Sequence, residues 1–321
     1  MTKKTNIKKQ GLYNPANEHD ACGVGFVANI HGKKSHEIIE QGLTILDNLT
    51  HRGATGYDPK LGDGAGLLSQ IPHEFFVAET DNLDISLPEV GHYGIGMMFL
   101  PKDNVLRAQF EKIVEKIVKE EGQGILGWRE VPVDNSDIAD SAKEVEPSIK
   151  QIFIKRSEDC EKQTGFERKL FVIRKRIEIE IGKLKNNDPV KFYVPSMSSR
   201  TIVYKGMLLA AEVGLYFKDL KNELFTSAIS LVHQRFSTNT FPSWDLAHPF
   251  RMIAHNGEIN TVQGNVNWMH ARHETMKSLL LGEDLDKLWP LIEDGQSDSA
   301  CFDNCLELLV AGGYSLPHAM M

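Results

Sequence analysis

The order of strand-like and helix-like segments most restricts the fold of this chain. Apolar runs such as YGIGMMFLP and TIVYKG predict strands, whereas apolar residues recur at helical spacing over 104–119, 170–184 and 298–311. The predicted strands and helices come in blocks and do not alternate strictly. This arrangement favours an α+β fold with antiparallel sheets over a doubly wound parallel sheet.

Charge and hydropathy exclude several classes of protein. The chain has 321 residues and a formal net charge of −8, so it offers no strongly basic surface for nucleic acid or anionic membranes. No apolar run approaches the roughly 18 residues of a membrane span, and no apolar segment follows the basic start MTKKTNIKKQ. We therefore expect a cytoplasmic protein with no nucleic-acid or membrane partner, and a small polar substrate remains possible.

The cysteine and histidine pattern predicts neither a disulfide framework nor a metal site. The chain has four cysteines, at positions 22, 160, 301 and 305, which are too few for a disulfide framework at this length. Cys301 and Cys305 lie one helical turn apart, and such a pair lacks the ligands of an iron–sulfur cluster. His270 and His273 share a helix face without a third ligand nearby. We interpret the three later cysteines as buried thiols.

Cys22 has a different setting, in the stretch EHDACGVGF between a polar leader and the first predicted strand. Thr and Cys nucleophiles can use their own main-chain amine as the base when they are the first residue of the chain. A free α-amino group has a pKa near 7.7–8.0, whereas a peptide nitrogen is not a base. Residues 1–21 are therefore predicted to be a leader that is removed on maturation. The local sequence is also compatible with an ordinary small strand residue.

Two segments supply polar groups suited to an amino-acid substrate. Arg235 ends the predicted strand in SLVHQRFSTNT, and an arginine in this position offers a planar fork for a carboxylate. RMIAHNGEIN predicts a second strand that runs into Asn256 and Gly257. An Asn amide and an unshielded Gly N–H can together form an oxyanion hole, although Asn-Gly is also a common turn.

Asp298 is predicted at the start of a helix, with Ser297 as its N-cap. A carboxylate at a helix N-terminus is held in its ionised form and can pair with a substrate ammonium. An arginine for the α-carboxylate, an aspartate for the α-ammonium, an oxyanion hole and a cysteine nucleophile together suit an amino acid with a side-chain amide. Glutamine is that substrate.

The same motifs, in the same order, resemble the class II glutamine amidotransferases, and among them the glutamate synthase family. The resemblance runs from about Leu12 to the last residue. Four stretches carry it: NEHDACGVGF, HRGATG with GDGAG, HQRFSTNTFPSWDLAHPFRMIAHNGEINT, and SDSACFDNCLELL.

The resemblance implies a role for each matched residue. Cys22 would be the nucleophile exposed by removal of the leader, Arg235 and Asp298 would bind L-glutamine, and Asn256 and Gly257 would form the oxyanion hole. Arg52, in the HRG stretch, would help to order the N-terminal cysteine. The implied fold is that of the N-terminal-nucleophile hydrolases, a four-layer αββα sandwich.

The family also implies a larger enzyme. Ammonia would pass to an FMN-containing part, where 2-oxoglutarate becomes glutamate with electrons relayed through an iron–sulfur cluster. The electron donor would be ferredoxin or a small NAD(P)H-oxidising subunit. The present chain is predicted to hold no cofactor, and its residues 22–321 to be an amidotransferase domain truncated at its C-terminal end.

Two alternatives remain open. The first is a cysteine amidohydrolase whose base is His255 or His233, which would be active with the leader attached. The second is a non-catalytic amino-acid-binding module that keeps Arg235 and Asp298 without turnover. Residues 110–191 contain no motif that discriminates among these possibilities.

Overall fold

The computed structural model describes most of the chain. It covers residues 23–50, 53, 58–184, 186, 188–235, 241–293 and 295–321, together with Lys9, Gly11, Leu12 and Asn14. Of the predicted site residues, Cys22 and Arg52 lie outside the described residues.

The strands form two antiparallel sheets of four strands each. In chain order they are β1 (Val24–Ala28), β2 (Ala65–Gln70), β3 (Tyr93–Leu100), β4 (Gly124–Glu130), β5 (Ser148–Lys155), β6 (Tyr193–Ser198), β7 (Thr201–Gly206) and β8 (Ile229–Gln234). The first sheet has the spatial order β1-β8-β2-β7, and the second has the order β4-β5-β3-β6. The predicted α+β class with two antiparallel sheets is confirmed.

Helices pack on both sheets. They are α1 (His36–Asn48), α2 (His73–Asp81), α3 (Asn104–Glu120), α4 (Asp140–Glu144), α5 (Gln163–Gly182), α6 (Val213–Tyr216), α7 (Val262–Arg272), α8 (Asp298–Ala311) and α9 (Leu316–Met320). Short 3-10 helices cover Ala210–Glu212, Lys218–Lys221, His273–Thr275 and Gly282–Leu288. In the part of the chain that the structure describes, no helix has the length and apolar character needed to cross a bilayer.

Two large apolar clusters show how the sequence pattern produces these layers. Strand residues of both sheets, with α1 and α2, contribute to one cluster, whose members include Leu67, Tyr204 and Phe153. Alternate residues of the second sheet face α3 and α5 in the other cluster, which includes Met98 and Phe110. Because successive strand residues point to opposite faces, β3 supplies Met97 to the first cluster and Met98 to the second.

The strands β6 and β7 connect the two sheets directly. β6 is an edge of the second sheet and β7 is an edge of the first. Only Ser199 and Arg200 separate them in the sequence. The hydroxyl of Ser196 in β6 also accepts a hydrogen bond from the N–H of Val203 in β7, at 3.1 Å.

One predicted element is wrong. The sequence RMIAHNGEIN predicts a strand that runs into Asn256 and Gly257, but the segment 251–260 has neither helix nor strand structure. The backbone N–H groups of Met252 and Ile253 both donate to a carboxylate oxygen of Asp303 in α8, at 2.7 and 3.2 Å. Side-chain acceptors therefore replace the partner strand that the apolar pattern suggested.

Candidate active site

The site begins where β8 ends, between two neighbouring strands. The N–H of Gln234 donates to the carbonyl of Gly23 just before β1, at 2.7 Å. The N–H of Arg235 donates to the carbonyl of Gly64 just before β2, at 2.8 Å. The pairing of β8 with β1 and β2 therefore places the backbone of Gln234 next to Gly23, which follows Cys22 in the sequence, and the backbone of Arg235 next to Gly64.

Arg235 is buried, and the charges of three carboxylates act on it. Its side chain is 7% exposed, and its Nη1 lies 3.4 Å from the carbonyl oxygen of Asp63. Burial lowers the pKa of this guanidinium, while the negative charges of Asp63, Asp245 and Asp298 act in the opposite direction. The structure thus brings Arg235 within electrostatic reach of Asp298, the other residue predicted to bind an amino acid.

Asn256 lies directly against Gly23. A Cβ atom built on Gly23 would lie 2.7 Å from the amide Nδ2 of Asn256 and 2.5 Å from the carbonyl oxygen of Gln234. Separations under about 3.0 Å do not occur for real Cβ atoms, so this position requires glycine. Gly53, which follows Arg52, is also close to this strand end, because its Cβ would lie 2.7 Å from Nε2 of Gln234.

Asp298 is the first residue of α8, as predicted. The hydroxyl of Ser297 caps this helix by accepting from the N–H of Ala300, at 3.2 Å. The carboxylate of Asp298 accepts the N–H of Ser299 at 2.6 Å and the N–H of Ile259 at 2.9 Å. Asp298 therefore ties the end of the loop that carries Asn256 and Gly257 to the start of α8.

His255 forms hydrogen bonds within the same loop, with α8 and with β8. Its Nδ1 accepts the N–H of Gly257 at 3.1 Å, and its Nε2 lies 2.8 Å from the hydroxyl of Ser299. Its carbonyl oxygen lies 2.9 Å from Nε2 of His233 in β8. In this structure the backbone N–H of Gly257 is thus engaged with an imidazole nitrogen.

His233 and His248 form a buried pair of imidazoles behind the site. Their rings stack with centroids 4.3 Å apart, and the ring of His255 is 5.7 Å from that of His248. Burial lowers the pKa of His233 to about 4. Its hydrogen bonds to the carbonyl of His255 and to Asn256 raise the pKa, but the effect of burial is larger. Burial and the nearby positive groups also hold the pKa of His248 well below its usual value. Both rings are therefore neutral at physiological pH.

The cavity beside Asp298 is mainly apolar. It has a volume of about 490 Å³ and lies between α7 and α8, where Trp268, Met269 and Phe302 contribute to its lining. Cys301 and Cys305 also line it, and burial raises the pKa of their thiols to about 11 and about 12. Both thiols are protonated at neutral pH, so neither is a ready nucleophile.

The described residues that the sequence singled out lie close together, and other groups that contact them were not singled out. Arg235, Asn256, Gly257 and Asp298, predicted from separate segments, lie around one strand end and one helix start. Neither Ser299 nor His248 was singled out. Ser299 stands next to Asp298 in the sequence, and that adjacency was the available signal.

The site thus combines a buried arginine at a strand end, an Asn-Gly loop and a carboxylate at the start of a helix, which are groups suited to binding and hydrolysing an amino-acid amide. The chain belongs to the class II glutamine amidotransferases, because it matches the family "Glutamine amidotransferases class-II" over residues 22–321.

Curated relatives narrow the comparison. The chain is 48% identical over 321 residues to the glutamate synthase [NADPH] large chain of Bacillus subtilis, covering 100% of this chain and 21% of that protein. It is 49% identical over 326 residues to the glutamate synthase [NADH] of Saccharomyces cerevisiae, covering 98% of this chain and 15% of the yeast protein. It is 39% identical over 319 residues to the ferredoxin-dependent glutamate synthase 2, chloroplastic, of Arabidopsis thaliana, covering 99% of this chain and 19% of the plant protein. The chain thus spans about a fifth or less of these relatives.

Proposed function

We propose that this chain is the glutaminase domain of a glutamate synthase, and that it hydrolyses L-glutamine to glutamate and ammonia. The observation that carries the proposal is the family match, which begins at Cys22. The position of Asn256 against Gly23 adds support, since it brings an amide donor next to the residue that follows the proposed nucleophile.

The proposed reaction uses Cys22 as the first residue of the mature chain. The thiol passes its proton to its own α-amine and attacks the side-chain amide of glutamine. The amide side chain of Asn256 and the N–H of Gly257 stabilise the oxyanion of the tetrahedral intermediate. Ammonia leaves with the proton, a γ-glutamyl thioester remains on Cys22, and water releases glutamate.

Substrate recognition is assigned to two charged residues and one ordering residue. Arg235 would bind the α-carboxylate through its planar fork, and Asp298 would bind the α-ammonium. The negative charge of Asp298 acts on the Arg235 guanidinium, which is compatible with both residues contacting one small zwitterionic substrate. Arg52 would order the N-terminal cysteine, as the resemblance implies.

The wider enzyme forms part of the proposal. Ammonia would pass to an FMN-containing part of the protein for reductive amination of 2-oxoglutarate in the cytoplasm. Electrons would come from ferredoxin or an NAD(P)H-oxidising subunit through an iron–sulfur cluster. Within the described ranges, no group of three or more His, Cys, Asp or Glu side chains gathers that could hold a metal ion. We assign no step of that chemistry to this chain.

Intact mass and N-terminal sequencing of the protein purified from its own cells test the proposal. We expect the mature chain to begin CGVGF and an electrophilic glutamine analogue to label Cys22. Cys22→Ala should abolish glutamine hydrolysis. Cys160→Ala is the matched control, because Cys160 is a half-buried thiol near Gln123 on another part of the fold and should be dispensable.

Other results would favour the two alternatives. An active enzyme that still begins at Met1 or Thr2 would exclude the α-amine as base, and a cysteine hydrolase with His255 would then explain the activity better than one with His233. The pKa of His233, about 4, makes it a weak base. Glutamine binding without hydrolysis or labelling would indicate a binding module.

A further inference from the structure

A continuous chain of hydrogen bonds joins Asp298 to Gly257. The Oδ1 of Asp298 is 3.0 Å from the hydroxyl oxygen of Ser299, which lies 2.8 Å from Nε2 of His255. On the other side of the ring, Nδ1 of His255 lies 3.1 Å from the backbone nitrogen of Gly257. Ser299 is 5% exposed, whereas His255 is half-buried and Gly257 is exposed, so water reaches the His255 ring from the side of Gly257.

The backbone N–H of Gly257 and the carboxylate of Asp298, at the two ends of this series of hydrogen bonds, fix the direction of each bond. A backbone N–H can only donate, so Nδ1 of His255 is the acceptor for Gly257. With Nδ1 as an acceptor, the ring proton lies on Nε2, which donates to the hydroxyl of Ser299. That hydroxyl donates in turn to the carboxylate of Asp298, which is an acceptor only.

The two ends of this chain are the two groups that the proposed function assigns to different tasks. Asp298 would receive the substrate ammonium, and Gly257 would donate to the oxyanion. In the structure the N–H of Gly257 already has His255 as its acceptor. The N–H must leave His255 before it can serve an oxyanion.

We propose that Ser299 and His255 are positioning residues that make release of the Gly257 N–H depend on the α-ammonium of the substrate. The inference rests on the proposed function. An ammonium at Asp298 competes with the Ser299 hydroxyl for Oδ1. The hydroxyl then turns to donate to Nε2 of His255, and the ring proton moves through water to Nδ1. A protonated Nδ1 cannot accept, so the Gly257 N–H becomes available for the oxyanion.

This arrangement has a consequence for substrate selection. Glutamine carries the ammonium, whereas glutaramate is the same amide without the α-amino group. Glutaramate should bind weakly and, once bound, should also leave the Gly257 N–H on His255. Losing one oxyanion donor typically lowers kcat by about 10² to 10³. We therefore expect kcat for glutaramate to be about 10²-fold below kcat for glutamine in the wild type.

Steady-state kinetics of ammonia release by the complete protein with both amides test this coupling. In Ser299→Ala the ring of His255 is no longer linked to Asp298, so release of the N–H no longer depends on the ammonium. The ratio of the two kcat values should fall by at least about tenfold. The ratio of the two KM values should persist because Asp298 remains. Ser315→Ala, which removes an exposed hydroxyl that makes no cap hydrogen bond, is the matched control.

His255→Asn provides a second variant with a different expected pattern. An Asn oxygen can accept the N–H two residues later, as in an Asx turn, but the side chain is too short to reach Ser299. The Gly257 N–H should stay occupied with either substrate, so kcat for glutamine should fall towards that for glutaramate.

The outcomes separate this inference from the proposed function. Wild-type glutamine hydrolysis with an unchanged kcat ratio in both folded variants would overturn the coupling and leave the glutaminase assignment intact. Equal kcat values for the two amides in the wild type would also overturn the coupling and leave the glutaminase assignment intact. Absence of glutamine hydrolysis by the wild type would overturn the proposed function and the coupling together.

Discussion

Gly23 shows how one residue without a side chain can hold two parts of the site together. Its carbonyl accepts from Gln234 in β8, while Asn256 fills the space where its Cβ would lie. One side of that space is a backbone carbonyl within a sheet, which cannot move as a flexible side chain can. The approach of Asn256 to β1 therefore depends on glycine at this position.

Gly23→Ala should damage activity more than stability. The added methyl group would overlap the Gln234 carbonyl and push the Asn256 amide away, and overpacking of this kind costs about 1–3 kcal/mol. Displacing an oxyanion donor should lower kcat by about 10²-fold. Glutamine hydrolysis and the thermal midpoint should be measured together.

The matched control is Gly264→Ala in α7, where no atom lies within 4 Å of a built Cβ. This variant should keep wild-type kcat because the added methyl group meets no neighbouring side chain, and alanine should not weaken the helix. If Gly23→Ala also keeps wild-type kcat, the close packing of Asn256 on Gly23 has no role in turnover.

At the scale of elements, α8 replaces the strand partner that the 251–260 segment lacks. Asp303 accepts two backbone N–H groups of this segment, and Asp298 accepts a third. The side chain of Arg251 forms ion pairs with the same helix. Its Nη2 lies 2.9 Å from a carboxylate oxygen of Asp303, and its Nε lies 3.0 Å from a carboxylate oxygen of Glu307. The loop is thus held by charges on one helix.

Asp303→Asn should destabilise the fold through this loop. Asp303 is 0% exposed, and the amide would remove the negative charge opposite buried Arg251. Loss of one partner from a buried ion pair typically costs about 3–5 kcal/mol. Urea unfolding should show a lower midpoint than the wild type. The same substitution at exposed Asp286 is the control, and equal midpoints for the two variants would refute a structural role for the ion pair.

At the scale of the whole molecule, the buried imidazoles link stability to pH. His233 has a pKa of about 4 in the fold and about 6.5 in an unfolded chain. Between these values the unfolded state binds more protons, so stability is complete above pH 6.5 and decreases as pH falls towards 4. His248 acts in the same direction.

The free energy of unfolding should therefore be lower at pH 5.0 than at pH 7.5. The full effect of His233, reached near pH 4, is roughly 3 kcal/mol. Glu178 does not account for this window, because its folded pKa of about 2 means that its contribution is lost only below about pH 4.5. Urea titrations of the wild type and His233→Gln should be compared, and an equal pH dependence in both would exclude His233 as a cause.

The sequence predicted the elements whose causes are local. The end of β8 at Gln234, just before Arg235, follows from its apolar run, and the start of α8 follows from the Ser297 cap. The segment 251–260 was misassigned because its backbone partners are carboxylates on α8, which a local pattern does not reveal. The link between Ser299 and His255 was missed for the same reason, since it depends on how a loop and a helix meet.

The passage from β6 to β7 makes the two sheets one mechanical unit. A force that pulled the sheets apart would act directly on the two residues between these strands, because so short a connection cannot extend. A flexible insertion after Ser199 would lengthen this connection without changing any side chain of the site, and only the packing between the sheets would then hold them together. Protein engineers who wish to split this domain or add a sensor module should therefore avoid this short connection.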